Sequence, residues 1–373
     1  MKKWIIPLLF IGLQAKAQLP AVWDLKTCVE YAKQNNISVK RADVQARIAD
    51  LQLKQAKLFQ YPSASFNTNI GPQFGRSIDP TTNSFTNTEL FAQSYSLQGG
   101  VQLFQWGRIK HGIEANRLNA MAALADVESA ANDVSLNVAT AYLQVLGAKE
   151  QLKVFDIQIQ QTKTQIDITR KRVEAGSLPE INLVELEAQL ANDSSNYINT
   201  KATFDQNVLS LKALLNLDAA LPFEVATPPV NLIPLLPMAE LQPEQVYALA
   251  LNNQPIQKAN DFRLKSAKEN ILSNKANLYP SITANYSLVS IFNNRAQSIR
   301  GFTPSSIPSG KVTVAGVDYT VFSPVNIPSY GKTSYTDQLN QNFRQNVGLG
   351  LSIPIFNNGQ NRINYETSKL NYR

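Results

Sequence analysis

Few side chains in this sequence could carry chemistry. There is one histidine, His111, and one cysteine, Cys28. A structural or catalytic metal site needs several such ligands converging on one ion. A serine-type nucleophile needs an imidazole base with its own orienting carboxylate. A lone His and a lone Cys supply neither, and the lone Cys has no partner for an intrachain disulfide. Carboxylates gather at Glu180, Glu185 and Glu187. They follow a chain reversal, where acids in a first turn suit the helix dipole, so they read as a solvated helix face. Cys28 falls on an apolar stripe and reads as a packed thiol, with no lipobox before it. The sequence assigns no catalytic, metal or cofactor residue. Its information lies in periodicity.

The N-terminus says where the chain works. Met1-Lys2-Lys3 is a short basic start, Trp4 to Leu13 is apolar, and Ala15-Lys16-Ala17 is a small-x-small cleavage signal. Residues 1–17 are expected to be a secretory signal peptide, the apolar run being too short for a bilayer that needs about 20 residues. Removing its three lysines lowers the formal charge from +7 to +4, which argues against a nucleic-acid partner. No later run is apolar enough for a transmembrane helix.

The elements come in a recurring order. Asp24 suits an N-cap, and an a/d stripe from Leu25 through Cys28, Ala32, Val39 and Ala46 predicts one helix to about residue 58. At Tyr61-Pro62 the period becomes two: Ala64, Phe66, Thr68 and Ile70 alternate with Ser65, Asn67 and Asn69. A polar loop is expected over 71–94, then a partner strand through Tyr95, Leu97, Gly99, Val101 and Leu103. Beyond Gly107 a heptad seam runs from Leu124 to Val173 without a proline, predicting a helix from 107 to 175 about 100 Å long. Gly176-Ser177-Leu178-Pro179 breaks it, with Gly suited to a helix end and Pro to the first turn of the next. A return helix carries Leu183, Leu190, Tyr197, Phe204 and Leu211. Prolines at 222, 228, 229, 234 and 237 then forbid regular helix.

The pattern restarts after them. AKQNNISVK at 32–40 is echoed by ALNNQPIQK at 250–258, and Tyr61-Pro62 by Tyr279-Pro280. Ile282, Ala284, Tyr286 and Leu288 alternate, a longer polar loop is expected over 290–344, and Val347, Leu349, Leu351, Ile353 and Ile355 form the partner strand. GVQLFQWGRIK at 100–110 returns as LSIPIFNNGQNRI at 351–363, with Phe104 and Gly107 matching Phe356 and Gly359. The expected organisation is a signal peptide (1–17), a first repeat (18–217: helix, β-hairpin 64–103, helical hairpin 107–216), a Pro-rich linker or equatorial segment (218–240), and a second repeat (241–373: helix, β-hairpin 282–356, shortened helix).

Strands of about ten residues, apolar on one face and polar on the other, are the signature of a membrane barrel. They also fit a hairpin on a soluble core. The duplication raises the weight of the first reading. Four strands are too few to close a barrel, and an open sheet leaves unsatisfied edges in lipid, so a membrane reading needs several chains. Phe104, Trp106 and Phe356 would then lie at the membrane interface; Trp106 fits a packing role at a helix start equally well.

The duplicated AKQN/ALNN helix, the two Tyr-Pro junctions, LFQWGR, PIFNNGQ and the hairpin AGSLPEINLVELEAQL at 175–190 together resemble the TolC-like outer-membrane efflux proteins of Gram-negative bacteria. The resemblance covers nearly the whole mature chain. It implies a mainly α protein with β: long antiparallel coiled-coil helices contributing to an α-barrel, and four transmembrane β-strands contributed to an oligomeric β-barrel. It further implies a homotrimer in the outer membrane with a periplasmic extension. An inner-membrane pump and a periplasmic adaptor would dock at the helix tip, here Gly176, Ser177, Leu178, Pro179 and Glu180. The chain would be a passive duct for small molecules or proteins and not an enzyme, with outer-membrane lipid as a further partner. Only fifteen residues follow from Gly359 to Arg373, so the family's second helical hairpin is missing and a truncated or partial chain is expected. The alternatives are a periplasmic coiled-coil adaptor and a secreted structural coiled coil. The first would lack the duplicated strand-to-helix phrase, the second would have no β-hairpins.

Overall fold

The computed structural model describes residues 22–78, 85–87, 89–227 and 242–373. The expected signal peptide and residues 228–240 of the Pro-rich segment lie outside them. The elements are β1 (Val22–Trp23), α1 (Leu25–Asn35), α2 (Ile37–Leu58), β2 (Ser63–Gln73), β3 (Arg76–Ile78), β4 (Phe85–Asn87), β5 (Leu90–Phe104), α3 (Arg108–Glu174), α4 (Ile181–Leu215), β6 (Glu224–Val225), α5 (Pro243–Asn253), α6 (Pro255–Ala276), β7 (Ser281–Asn293), β8 (Gln297–Val314), β9 (Val317–Lys332), α7 (Tyr335–Gln341), β10 (Arg344–Ser352) and α8 (Gln360–Tyr372). The chain divides into two compact units, one through Leu51 with Arg117–Leu264, the other Gln52–Asn116 with Lys265–Arg373.

The first unit is helical. The heptad seam of α3 faces inward: Val138 and Val145 are fully buried, with Val134, Ala141 and Ile166 nearly so. Leu124, expected on the seam, is 61% exposed; there the inward positions are the small Ala122 and Ala125 instead. Trp23, Cys28, Ala32, Val39, Leu211, Leu215 and Val225 complete one core. A two-residue parallel bridge joins β1 to β6, and the Tyr142 hydroxyl donates to the Trp23 carbonyl at 3.1 Å, with the Ala226 carbonyl also in reach. Burial pushes the Cys28 thiol up to about 12, reinforced by the negative charge of Asp24. Burial likewise pushes the Tyr142 phenol up to about 12.

The single helix expected over 25–58 is two. Asn36 is extended at its junction (φ −63°, ψ 136°). Its side chain accepts from Ser38 N at 2.8 Å, starting α2, and donates to the Leu214 carbonyl at 2.7 Å. Local side-chain bonding of this kind is why Asn favours caps over helix interiors. The echo segment breaks at the aligned place: Gln254 is extended (φ −68°, ψ 124°) before α6, as expected of a residue preceding proline.

The second unit holds a four-stranded antiparallel sheet, ordered β10-β7-β5-β2. The two regions expected as polar loops contain structure. β2 reaches Gln73, β3 and β4 form a small hairpin, and β8 pairs with β9 in a long ribbon turning at Ala315-Gly316. Both turn residues have positive φ (54° and 81°), the geometry that matches strand twist in two-residue hairpins. The four prolines of this ribbon fall at pairs two residues apart, Pro328 with Phe302, Pro304 with Asn326, Pro324 with Ser306 and Pro308 with Phe322. Those are all the same class of pair, whose N–H points away from the partner, so no ladder bond is lost. β10 stops at Ser352, short of the expected Phe356, just before Pro354.

Candidate membrane sheet, strand-to-helix junctions and helix tip

Directly paired residues in an antiparallel sheet share a face, so the register fixes what each face carries. Phe66 pairs with Leu97, Thr68 with Tyr95, Leu97 with Leu288, Val101 with Ala284, and Ala284 and Tyr286 with Leu349 and Val347. One face is therefore apolar across all four strands. The other pairs Ser65 with Gln98, Asn67 with Ser96, Gln98 with Ser287 and Ser287 with Asn346. Away from the end where α7 packs on it, the apolar face is open: Phe66, Ile70, Val347, Leu349 and Leu351 are exposed, Val347 to 82%. Glycine permits close strand approach at one point, since a Cβ on Gly99 would stand 1.9 Å from the Ser63 carbonyl oxygen. Among the described residues, the outer strands β2 and β10 each have one unpaired edge.

The repeated sequence phrase is a repeated backbone device. Trp106 and Gly107 have φ of 50° and 79°, and Asn358 and Gly359 have 54° and 74°. Each glycine carbonyl then accepts the first helical bond, from His111 N and from Ile363 N, both at 2.9 Å. Two left-handed residues in succession turn an outgoing strand into a helix. Glycine takes that conformation without strain and asparagine tolerates it, while tryptophan is rarely found there. Trp106 is held by its ring contacts, 5.4 Å from Phe104 and 5.1 Å from Tyr279. The Tyr-Pro junctions repeat as well: Gln60 and Tyr61 close tight final turns onto Lys57 and Leu58, as Leu278 and Tyr279 do onto Lys275 and Ala276.

Of the three aromatic residues singled out, Phe104 and Trp106 are brought together and Phe356 stands apart, 82% exposed beyond the end of β10. The sequence reading missed a second aromatic group at the other end of the strands. Phe66 stacks on Tyr95 at 6.3 Å, the Tyr95 and Tyr335 hydroxyls meet at 2.6 Å, and Phe292 lies 4.8 Å from Tyr335. Tyr335 belongs to α7, inside a segment that composition had marked as loop.

The five tip residues form one compact reversal. Gly176, at φ 72°, donates to the Val173 carbonyl and Ser177 N to the Arg172 carbonyl, each at 2.9 Å. This paired pattern satisfies the last carbonyls of α3. Pro179 stands just before α4 and not in its first turn; its carbonyl accepts from Asn182 N at 3.2 Å. Glu180 is exposed, and Glu187 pairs across the hairpin with Arg170 at 3.4 Å. A buried polar group, also unforeseen, lies within the hairpin. Asp193, 1% exposed, accepts from Thr162 Oγ1 (2.9 Å), Gln158 Nε2 (3.1 Å) and Gln189 Nε2 (2.8 Å). The lone His111 meets Glu269 at 2.7 Å. Among the described residues no three His, Cys, Asp or Glu side chains could hold a common ion, and no helix is long and apolar enough to cross a membrane.

The family model of the outer membrane efflux protein matches residues 29–217. No curated protein compared is significantly similar in sequence. Among solved structures, the chain superposes on CusC with a TM-score of 0.70 at 17% identity, covering 100% of this chain and 76% of that one. For the CmeC outer membrane channel of Campylobacter jejuni the values are 0.69, 17%, 93% and 65%. For the outer membrane protein VceC of Vibrio cholerae they are 0.66, 14%, 93% and 72%. At these identities the likeness concerns the fold.

Proposed function

The chain belongs to the outer membrane efflux protein family, and from that premise we propose that copies of it close a β-barrel in the outer membrane and form a passive export duct. One observation carries this reading. The four-stranded sheet has a largely open apolar face, a polar face and, among the described residues, two unpaired edges. In lipid each unpaired N–H and C=O costs several kcal/mol, so spanning sheets must close. Along the meander β2 and β10 run in opposite directions, so the edge of one copy can pair antiparallel with the other edge of the next. Two copies supply the minimum of about eight strands and three supply twelve; the likeness to TolC-like channels favours three.

The dimensions agree. From Tyr95 to Phe104 a strand spans about 30 Å, or about 23 Å along the membrane normal at a tilt near 40°, against an apolar band of roughly 25 Å. Phe104, Trp106 and Phe356 would mark one interface and the Tyr95–Tyr335 group the other, the polar face lining water. The long α3–α4 hairpin would wall a periplasmic tunnel. The tip at Gly176, Ser177, Leu178, Pro179 and Glu180 would meet a periplasmic adaptor serving an inner-membrane pump. A wall of Asn, Gln and Ser would be wet and weakly selective, so the choice of cargo would fall to the pump.

Conductance tests the channel. Protein extracted from the outer membrane and added to a planar bilayer should give discrete ohmic steps. Oligomer that inserts but passes no current would refute an open duct.

A further inference from the structure

The ribbon β8–β9 is more than a connection. Its paired strands run from Gln297 to Lys332, and its side chains are mostly exposed. An isolated two-stranded hairpin is marginal in water, so one this long calls for a cover. The register, followed through the bulge at Ser309, sorts its side chains. Ile307, Val312, Val314, Val317, Tyr319, Val321 and Ile327 share one face, each between 44 and 57% exposed. That face carries no proline, and its one charge is Arg300 at the base, whose side chain lies beside Gly331. Lys311, Asp318 and all four prolines lie on the other, with Phe302 and Phe322.

We infer that the apolar faces of these ribbons pack against one another in the assembled channel, forming a sleeve beyond the sheet. The occupant is a second copy of this chain, and the inference rests on the oligomeric barrel proposed above. Three features favour it. First, prolines remove outward N–H groups from both ribbon edges, blocking strand addition there, so a partner must come to a face. Second, the seven half-exposed side chains offer only about 500 Å² of apolar surface per ribbon. Two copies would reach the roughly 1,000 Å² expected of an interface between free partners only with every one of them fully covered. Copies already held side by side need far less, because tethering raises their effective concentration. Third, α7 leads from the ribbon directly into β10, an edge strand of the sheet, so its base stands at the border a neighbouring copy would occupy.

The test labels the ribbon in the full chain. Cys28→Ala removes the one native thiol, and Thr320→Cys on the opposite face takes a spin label; pulsed electron resonance then reads label-to-label distances in oligomer extracted from the outer membrane. Packed ribbons should give one narrow distance distribution, which broadens when Val312 and Val321 are both changed to Asp while native mass spectrometry shows the oligomer intact. A broad distribution in an intact oligomer before that change overturns the sleeve and leaves the barrel standing. Additional mass of a co-purifying protein, lost with the two aspartates, would assign the face to a foreign partner and also overturn it. Absence of any oligomer overturns the barrel and the sleeve together.

Discussion

Trp106 and Asn358 hold the same left-handed backbone conformation, φ 50° and 54°, each one residue before a glycine at φ 79° or 74°. One device serves both places where a strand of the sheet becomes a helix. Its two copies differ in what surrounds the glycine. A Cβ on Gly107 would meet the His111 ring at 3.3 Å, whereas one on Gly359 would meet only Ile363 Cδ1 at 3.7 Å. Gly107→Ala is expected to destabilise the fold by about 1–2 kcal/mol from backbone conformation alone, with crowding added. Gly359→Ala should show the conformational part only. Thermal unfolding in detergent ranks the two, and equal effects would mean the His111 contact is immaterial.

Asn358→Gly should be neutral or slightly stabilising. Asn358→Val should destabilise more than Gly359→Ala, because a β-branched side chain fits the left-handed region poorly. A Val variant as stable as the parent would show that this junction can be rebuilt by another backbone path.

The helical unit should weaken in alkali. Cys28 and Tyr142 have acid forms protected by burial, with folded values near 12 against ordinary values of 9.0 and 10.0. Raised values favour the folded state fully below the ordinary ones. That stability is lost as pH climbs from about 9 toward 12, by up to about 1.4 kcal/mol per pH unit for each group. Melting temperatures from pH 8 to 11 should fall less steeply in Cys28→Ala than in the parent. Parallel curves would remove Cys28 from the explanation. The same burial predicts that iodoacetamide modifies Cys28 only after unfolding.

Asp193 accepts three hydrogen bonds from neutral donors inside the helical hairpin. Asp193→Ala should cost about 2–3 kcal/mol by stranding Thr162, Gln158 and Gln189. Asp193→Asn should cost less, since an amide oxygen still accepts. Apolar replacement of Asp193 with Thr162→Val should recover part of the loss, as removing both partners does elsewhere. Thermal unfolding of the three variants would show this, and an additive double variant would argue against coupling.

At the helix tip, Glu180→Lys with Glu185→Lys should lower efflux in cells without lowering the yield of oligomer, if that surface meets an adaptor. Unchanged efflux would move the adaptor contact elsewhere.

Much of this architecture is legible in the sequence because it rests on period. The a/d seam of α3 and the alternation of the four sheet strands are one-dimensional patterns, and duplication doubled the weak strand signal. What stayed hidden depends on a partner distant in sequence or on the local role of one residue. Asn36 ends a helix within an unbroken apolar stripe because its side chain finds Leu214. Leu124 keeps the heptad spacing yet faces outward, since nothing in its own segment says where a neighbouring helix stops. β8 and β9 read as a polar loop, and only the register shows that their four prolines leave the ladder intact, each missing N–H being one that would have pointed outward. Asp193 shows no pattern at all; its burial follows from the three donors that converge on it.

The central claim is that the sheet closes through copies of the chain, and mass answers it most directly. The protein, produced with its own N-terminus, should be extractable from the outer membrane in detergent, and native mass spectrometry should give a particle of three mature chains. A monomer, whether soluble in the periplasm or extracted with its sheet edges open, would contradict the account.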